Sequence, residues 1–157
     1  MKVILLSVLL LFCSNAFSQK ICIGNITNSI KIGLLANNKN LVFGIKNIAE
    51  EAILDKGYSI VEKNDSTPKL NFEVIYFDVL QTSTGVSVFH KNDNETIMRI
   101  KGTLIQPGKK PKEYIAVGKS SEISTSTMII DEGGGFNQTS ARSALKKTII
   151  NLIENLL

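Results

Sequence analysis

A Cys–His pair is the first catalytic arrangement that the sequence suggests, with His90, the single histidine, and Cys22, the one cysteine beyond residue 18. A cysteine nucleophile needs a base within hydrogen-bond reach and a third group that orients the base. Cys22 lies between Ile21 and Ile23 in a stretch that predicts a buried strand, whereas His90 lies beside a predicted turn. We therefore expect a structural cysteine, no Cys–His pair and no enzymatic activity.

A metal site is the second chemistry to weigh, because His90, Asp93 and Glu95 lie within six residues. Zinc sites use three or four protein ligands, and calcium loops arrange oxygen ligands around a central glycine. The chain has no second histidine, and residues 91–96 contain no glycine. The sequence therefore predicts a polar hairpin tip without a metal.

An anion site is the third possibility, because the glycine run 133–135 precedes a predicted helix. Backbone N–H groups and the helix dipole can bind an anion in such a place. A phosphate loop, however, ends in Gly-Lys-Ser/Thr, whereas Phe136-Asn137-Gln138 follows here, and Asp131-Glu132 would repel a phosphate. We expect a joint before the last helix and no cofactor.

The first eighteen residues have the pattern of a secretory signal peptide: Lys2, an apolar run from Val3 to Phe12, and small residues before Gln19. The apolar run is about half of the ~20 residues that span a membrane. We expect a signal peptide over residues 1–18, one domain over residues 19–157, and a periplasmic or secreted bacterial protein. Lipid attachment at Cys13 is the less favoured alternative, because Phe12 stands where a lipobox has a small residue.

The charge pattern argues against a nucleic-acid partner. The formal net charge is +4 at pH 7, but it comes mainly from scattered lysines, and Arg99 and Arg142 are the only arginines. Arginine supplies the planar group that reads phosphates and base edges. After loss of the signal peptide Cys22 has no second cysteine, so an intramolecular disulfide is excluded as well.

Periodicity predicts two helices and about five strands. The first helix runs from Leu41, capped by Asn40, to Gly57, and the second begins at Thr139 or Ser140 and carries a wide apolar stripe. Predicted strands cover residues 21–26, 58–62, 70–77, 96–106 and 113–124, with turns at 81–85 and 107–111 and a loop at 91–94. These elements predict a two-layer α+β fold, with an antiparallel sheet of about five strands and two helices packed on one face.

Two stretches carry a resemblance to a known group of proteins: the helix end and strand Asp55-Lys56-Gly57-Tyr58-Ser59-Ile60-Val61, and the long strand Leu70-Asn71-Phe72-Glu73-Val74. This layout resembles the small α/β domains of bacterial envelope lipoproteins, namely the YajG-like family and the related modules of curli-secretion and penicillin-binding-protein-activator lipoproteins. The resemblance implies a non-catalytic envelope protein that takes part in assembling something larger.

Two functions are compatible with these features. The first is an envelope scaffold or assembly module that binds a protein partner, or a second copy, through an exposed strand edge or the last helix. The residues expected at that surface are Ser120, Ser124, Thr125, Thr127, Leu152 and Leu156. The alternative is a small-ligand carrier with an apolar pocket lined by Phe72, Tyr76 and Phe77.

Overall fold

The computed structural model describes residues 19–30, 42–86, 89–126 and 138–157. The strands are β1 (Lys20–Asn28), β2 (Ser59–Ile60), β3 (Lys69–Val86), β4 (Phe89–Ile105) and β5 (Lys112–Ser126), and the helices are α1 (Val42–Asp55) and α2 (Gln138–Leu156). The signal peptide, the Asn40 cap, the 133–135 glycine run and Thr127 lie outside the described residues.

The five strands form one sheet in the order β2-β1-β3-β4-β5, and both helices contribute to one hydrophobic core against it. This confirms the α+β class with two helices. The sheet is mixed, however, and not antiparallel throughout. β3, β4 and β5 form an antiparallel meander, whereas β1 pairs in parallel with both β2 and β3. The reason is the crossover through α1, which returns the chain to the end at which β1 began.

Helix α1 ends where the sequence predicts. Gly57 has a φ of 81°, the left-handed conformation that a β-carbon disfavours, and its N–H donates to the Leu54 carbonyl at 2.8 Å. The next residue, Tyr58, donates its N–H to the Ile53 carbonyl at 3.2 Å. These bonds close the helix and direct the chain into β2.

The central strand β3 supplies much of the core, and an irregularity changes which of its residues face inward. Leu70, Phe72 and Val74 are buried in the core, but the register with β4 shifts between Val74 and Tyr76. The extra residue of such a bulge reverses the alternation. Phe77 is therefore buried in the core, and Tyr76 lies on the opposite face, beside Arg99 of β4.

The long hairpin of β3 and β4 differs from the expectation. The predicted turn at 81–85 and the predicted loop at 91–94 both lie within strands, because the pairing continues without a break from Tyr76↔Arg99 to Val86↔Phe89. Ser, Thr and Asn residues there suggest a turn by composition, yet continued ladder hydrogen bonds keep them extended. The second predicted hairpin, at 107–111, is confirmed, with Gly108 at a φ of 72° and Lys109 N–H donating to the Gln106 carbonyl at 3.1 Å.

Helix α2 lies across the inner face of β4 and β5, and two glycines allow its close approach. A β-carbon on Gly118 would meet the Ala144 carbonyl oxygen and the Thr148 hydroxyl oxygen, and would lie 2.9 Å from the Thr148 backbone nitrogen. A β-carbon on Gly102 would lie 2.7 Å and 2.9 Å from methyl groups of Leu156 and Leu152. The wide apolar stripe of α2 is thus covered by the chain's own sheet.

We predict that Gly118→Ala destabilises the fold by about 3 kcal/mol, because the new methyl group meets helix backbone that cannot rotate away. Gly102→Ala is expected to cost only about 1 kcal/mol, because leucine side-chain ends can turn aside. Urea unfolding measures both, with the exposed Ser121→Ala as a control that should stay within about 0.5 kcal/mol of the parent. Equal losses for the two glycine variants would contradict backbone contact at Gly118.

Candidate functional site

The candidate site is the edge and outer face of β5, the strand at one end of the sheet. β5 pairs with β4 without a register shift from Lys112↔Leu104 to Ser126↔His90. Among the described residues no strand pairs with its other side. A long edge strand of this kind presents backbone donors and acceptors to a further strand.

The outer face beside this edge carries two adjacent apolar residues. Alternate residues of β5 point away from the helices, and of these Ile115 is 52 % exposed and Val117 is 44 % exposed. Leu80 of β3 and Ile105 of β4 are also exposed on this face, but the register places them several residues away from this pair along the strands. Ile115 and Val117 are therefore the two exposed apolar residues that lie next to each other at the edge.

Oppositely charged residues border the apolar pair on both sides. Lys101 of β4 bonds to Glu113 at 2.9 Å, and Glu95 of β4 bonds to Lys119 at 3.2 Å. The hydrogen bond from Lys101 to Glu113 raises the pKa of the Lys101 amine. Along its outer face, β5 therefore carries an acidic residue, two β-branched residues and a basic residue, in that order.

A third polar contact lies further from the edge, on β3 and β4. The Tyr76 hydroxyl donates to the Asp78 carboxylate at 3.1 Å, and the Arg99 guanidinium lies 5.0 Å from the centre of the Tyr76 ring. The hydrogen bond to Asp78 raises the pKa of the Tyr76 phenol, and desolvation adds to this effect.

Helix α2 covers part of the edge from the inner side. Lys147 donates through its Nζ to the Lys119 carbonyl oxygen at 3.0 Å. Asn151 and Asn155 follow at four-residue spacing on the same side of the helix and bond to each other at 2.8 Å. A lysine over an edge strand is one of the devices by which proteins limit unwanted strand pairing.

The structure separates the residues that the sequence assigned to the partner surface. Ser120 is half-buried in β5, and Ser124 and Thr125 lie in the same strand, opposite Asn92 and Lys91. Leu152 and Leu156 are 0 % and 2 % exposed, so they belong to the core and not to an outer surface. Ile115 and Val117 were not among the residues predicted at this surface, although their alternation with Tyr114 and Ala116 places them on one face of the strand.

The residues considered for catalysis, metal binding or a ligand pocket are also not brought together. Cys22 is buried and free, as expected, and His90 lies in β4. In the described part of the chain, no three His, Cys, Asp or Glu residues are grouped to hold a metal ion. The three residues predicted to line a carrier pocket do not share one surface. Phe72 and Phe77 are in the core, whereas Tyr76 is on the other face of the sheet.

A depression of about 230 Å³ lies between the two helices, lined by Ala52, Asp55, Lys56, Ile150, Ile153 and Glu154. It is smaller than the ~300–1,000 Å³ of typical ligand sites. Among the described helices, none combines the length and hydrophobicity needed to cross a membrane.

No protein-family model matches the sequence, and the search of curated proteins returned no significant match. Several solved structures are similar. A PelC dodecamer from Paraburkholderia phytofirmans is 15 % identical, with a TM-score of 0.49, and the alignment covers 88 % of this chain and 86 % of that one. Rare lipoprotein B from Shewanella oneidensis is 12 % identical, with a TM-score of 0.39 and coverage of 85 % and 90 %.

A lipoprotein from Neisseria meningitidis is 12 % identical, with a TM-score of 0.45 and coverage of 87 % and 99 %. Bacterial lipoproteins recur among the similar structures. At similarities this low we draw no functional argument from them, and the narrower YajG-like relationship stays a prediction.

We predict that Asp78→Asn lowers the pKa of Tyr76 toward its ordinary value of 10.0, because the carboxylate that accepts the phenolic proton is lost. The raised pKa means that the contact stabilises the fold below the pKa of tyrosine in the unfolded chain. This contribution is lost as the pH rises through the raised value. Ultraviolet titration of the tyrosines measures the shift.

The matched control is Asp65→Asn, because the Asp65 carboxylate, in the loop before β3, bonds to Lys69 and not to a tyrosine. It should leave the Tyr76 titration unchanged. A titration curve that is the same for Asp78→Asn and the parent would contradict the Tyr76–Asp78 contact.

Proposed function

We propose that this protein is an exported, non-catalytic interaction module of the bacterial envelope, and that it binds protein through the edge and outer face of β5. The observation that carries the proposal is the regular edge strand with exposed Ile115 and Val117 beside it. Strand addition to such an edge uses main-chain hydrogen bonds for affinity and alternate side chains for specificity.

The rigidity of β5 supports this proposal. One side of the strand is bonded to β4 over its whole length, and its inner face rests on helix backbone at Gly118. A preformed edge lowers the ordering cost that binding would otherwise incur. The strand is therefore ordered before a partner binds.

The place in the envelope is proposed from the sequence of residues 1–18, which have the features of an export signal. Cleavage before Gln19 would release the domain into the periplasm or the medium. Lipid attachment at Cys13 would instead hold the domain at a membrane surface. Both alternatives concern only residues before Gln19, so neither changes the β5 surface of the folded domain.

A small-ligand carrier is the alternative function. The depression between α1 and α2 is where a ligand would be sought, because three of its lining residues, Ala52, Ile150 and Ile153, are apolar. Binding there would involve residues far in sequence from β5. The two proposals can therefore be separated by substitutions on each surface.

We predict that crosslinking with mass spectrometry in the native host links β5 to protein, and that Val117→Asp lowers the yield by about tenfold. A buried carboxylate without a partner opposes binding. The matched control is Leu54→Asp, because Leu54 is similarly exposed, at 56 %, on α1. Crosslinks that concentrate around Leu54, or equal losses for the two variants, would contradict the proposal.

A further inference from the structure

The outer-face residues of β5 are complementary about Ala116. Moving outward from that residue, β-branched Ile115 matches β-branched Val117, and acidic Glu113 matches basic Lys119. An antiparallel pair of identical strands brings such matched positions directly opposite each other when the two-fold axis passes through the central residue.

We propose that β5 pairs antiparallel with β5 of a second copy, about a two-fold axis at Ala116, so that the two sheets become continuous. The inference rests on the proposed function of the β5 edge and names its partner. We infer a second copy as the partner because the charges of β5 are complementary to those of an identical strand that runs antiparallel to it.

On the outer face, the axis places Ile115 opposite Val117 of the second copy, and the reverse. Directly opposite residues in an antiparallel pair have β-carbons about 4.5–5.5 Å apart, close enough for β-branched side chains to pack. The pairing thereby covers two residues that are 52 % and 44 % exposed in one copy.

The charges fix the register. Glu113 comes to lie opposite Lys119 of the second copy, and each already has a partner on β4 of its own chain, at 2.9 Å and 3.2 Å. The result is an alternating row across the junction: Lys101 and Glu113 of one copy, then Lys119 and Glu95 of the other. Opposite charges at facing positions stabilise a sheet, and like charges destabilise it.

Neighbouring registers lack this match. An axis at Val117 would set Lys119 opposite Ile115 of the second copy, and an axis at Ile115 would set Glu113 opposite Val117. Each leaves a charge facing an apolar side chain. Of these three registers, only the axis at Ala116 pairs apolar with apolar residues and acidic with basic residues on the outer face.

The inner side of the edge is compatible with the pairing. The axis places Tyr114 opposite Gly118 of the second copy, where α2 of that copy occupies the space above the glycine, so the Tyr114 ring has to lie against the flank of that helix. The Lys119 carbonyl, which Lys147 now contacts, has two lone pairs and can also accept a backbone N–H. The flank of α2 above the edge is polar, with Lys147, Asn151 and Asn155, and suits a wet contact between helices.

Charge reversal tests the register. The exported protein is expected to sediment as a dimer, and Glu113→Lys or Lys119→Glu should each raise the dissociation constant by about tenfold or more, because like charges then face each other twice per dimer. An equimolar mixture of the two variants should recover the parent's dissociation constant, because every facing pair is again of opposite sign.

The mixture separates the contact between chains from stability within a chain. Each variant replaces one ion pair with its own β4 by a pair of like charges, and this change is the same alone and in the mixture. The control Lys63→Glu reverses an exposed charge between β2 and β3 and should leave the dissociation constant unchanged. A mixture that stays as weak as its components would overturn the inference.

A parent protein that stays monomeric across the concentration range would also overturn it. If crosslinking in the host then captures a different protein on β5, only the self-pairing fails and the proposed function stands. If β5 captures no protein at all, both fail.

Discussion

The close approach of helix α2 to the sheet at Gly118 is the constraint on which the rest of the structure depends. Helix backbone occupies the space where any other residue would carry its β-carbon, and Leu152 and Leu156 reach the sheet over Gly102 for the same reason. Because the helix is committed to the inner face of β4 and β5, its apolar stripe is used within the chain. The helix leaves Ile115 and Val117 exposed on the other face of β5.

The edge of β5 combines features that oppose and features that favour strand pairing. Lys147 at the Lys119 carbonyl and the charges at both ends of the exposed pair limit indiscriminate association. The unbroken register with β4 and the exposed Ile115 and Val117 do the opposite. If the edge binds a strand, as we propose, this combination favours a strand with complementary charges.

The sequence predicted what local periodicity and turn chemistry determine. The end of α1 at Gly57 and the hairpin at Gly108 followed from glycine's access to positive φ, and the core face of β3 followed from alternation up to Val74. Two features depend on tertiary contacts. The parallel placement of β1 follows from the crossover, and the burial of Leu156 follows from Gly102 of a distant strand, which a helical stripe alone does not reveal. The turn expected at 81–85 was wrong because cross-strand bonds outweighed local composition.

Residue-resolved amide hydrogen exchange along β5 tests the central claim most directly, namely that the strand is bonded on one side and open on the other. In dilute protein, amides that face β4 should exchange slowly and alternate amides should exchange fast. In concentrated protein the fast amides on both sides of Ala116 should become protected. Uniform protection in dilute protein would contradict the open edge, and alternation that persists at high concentration would contradict its occupation by a second copy.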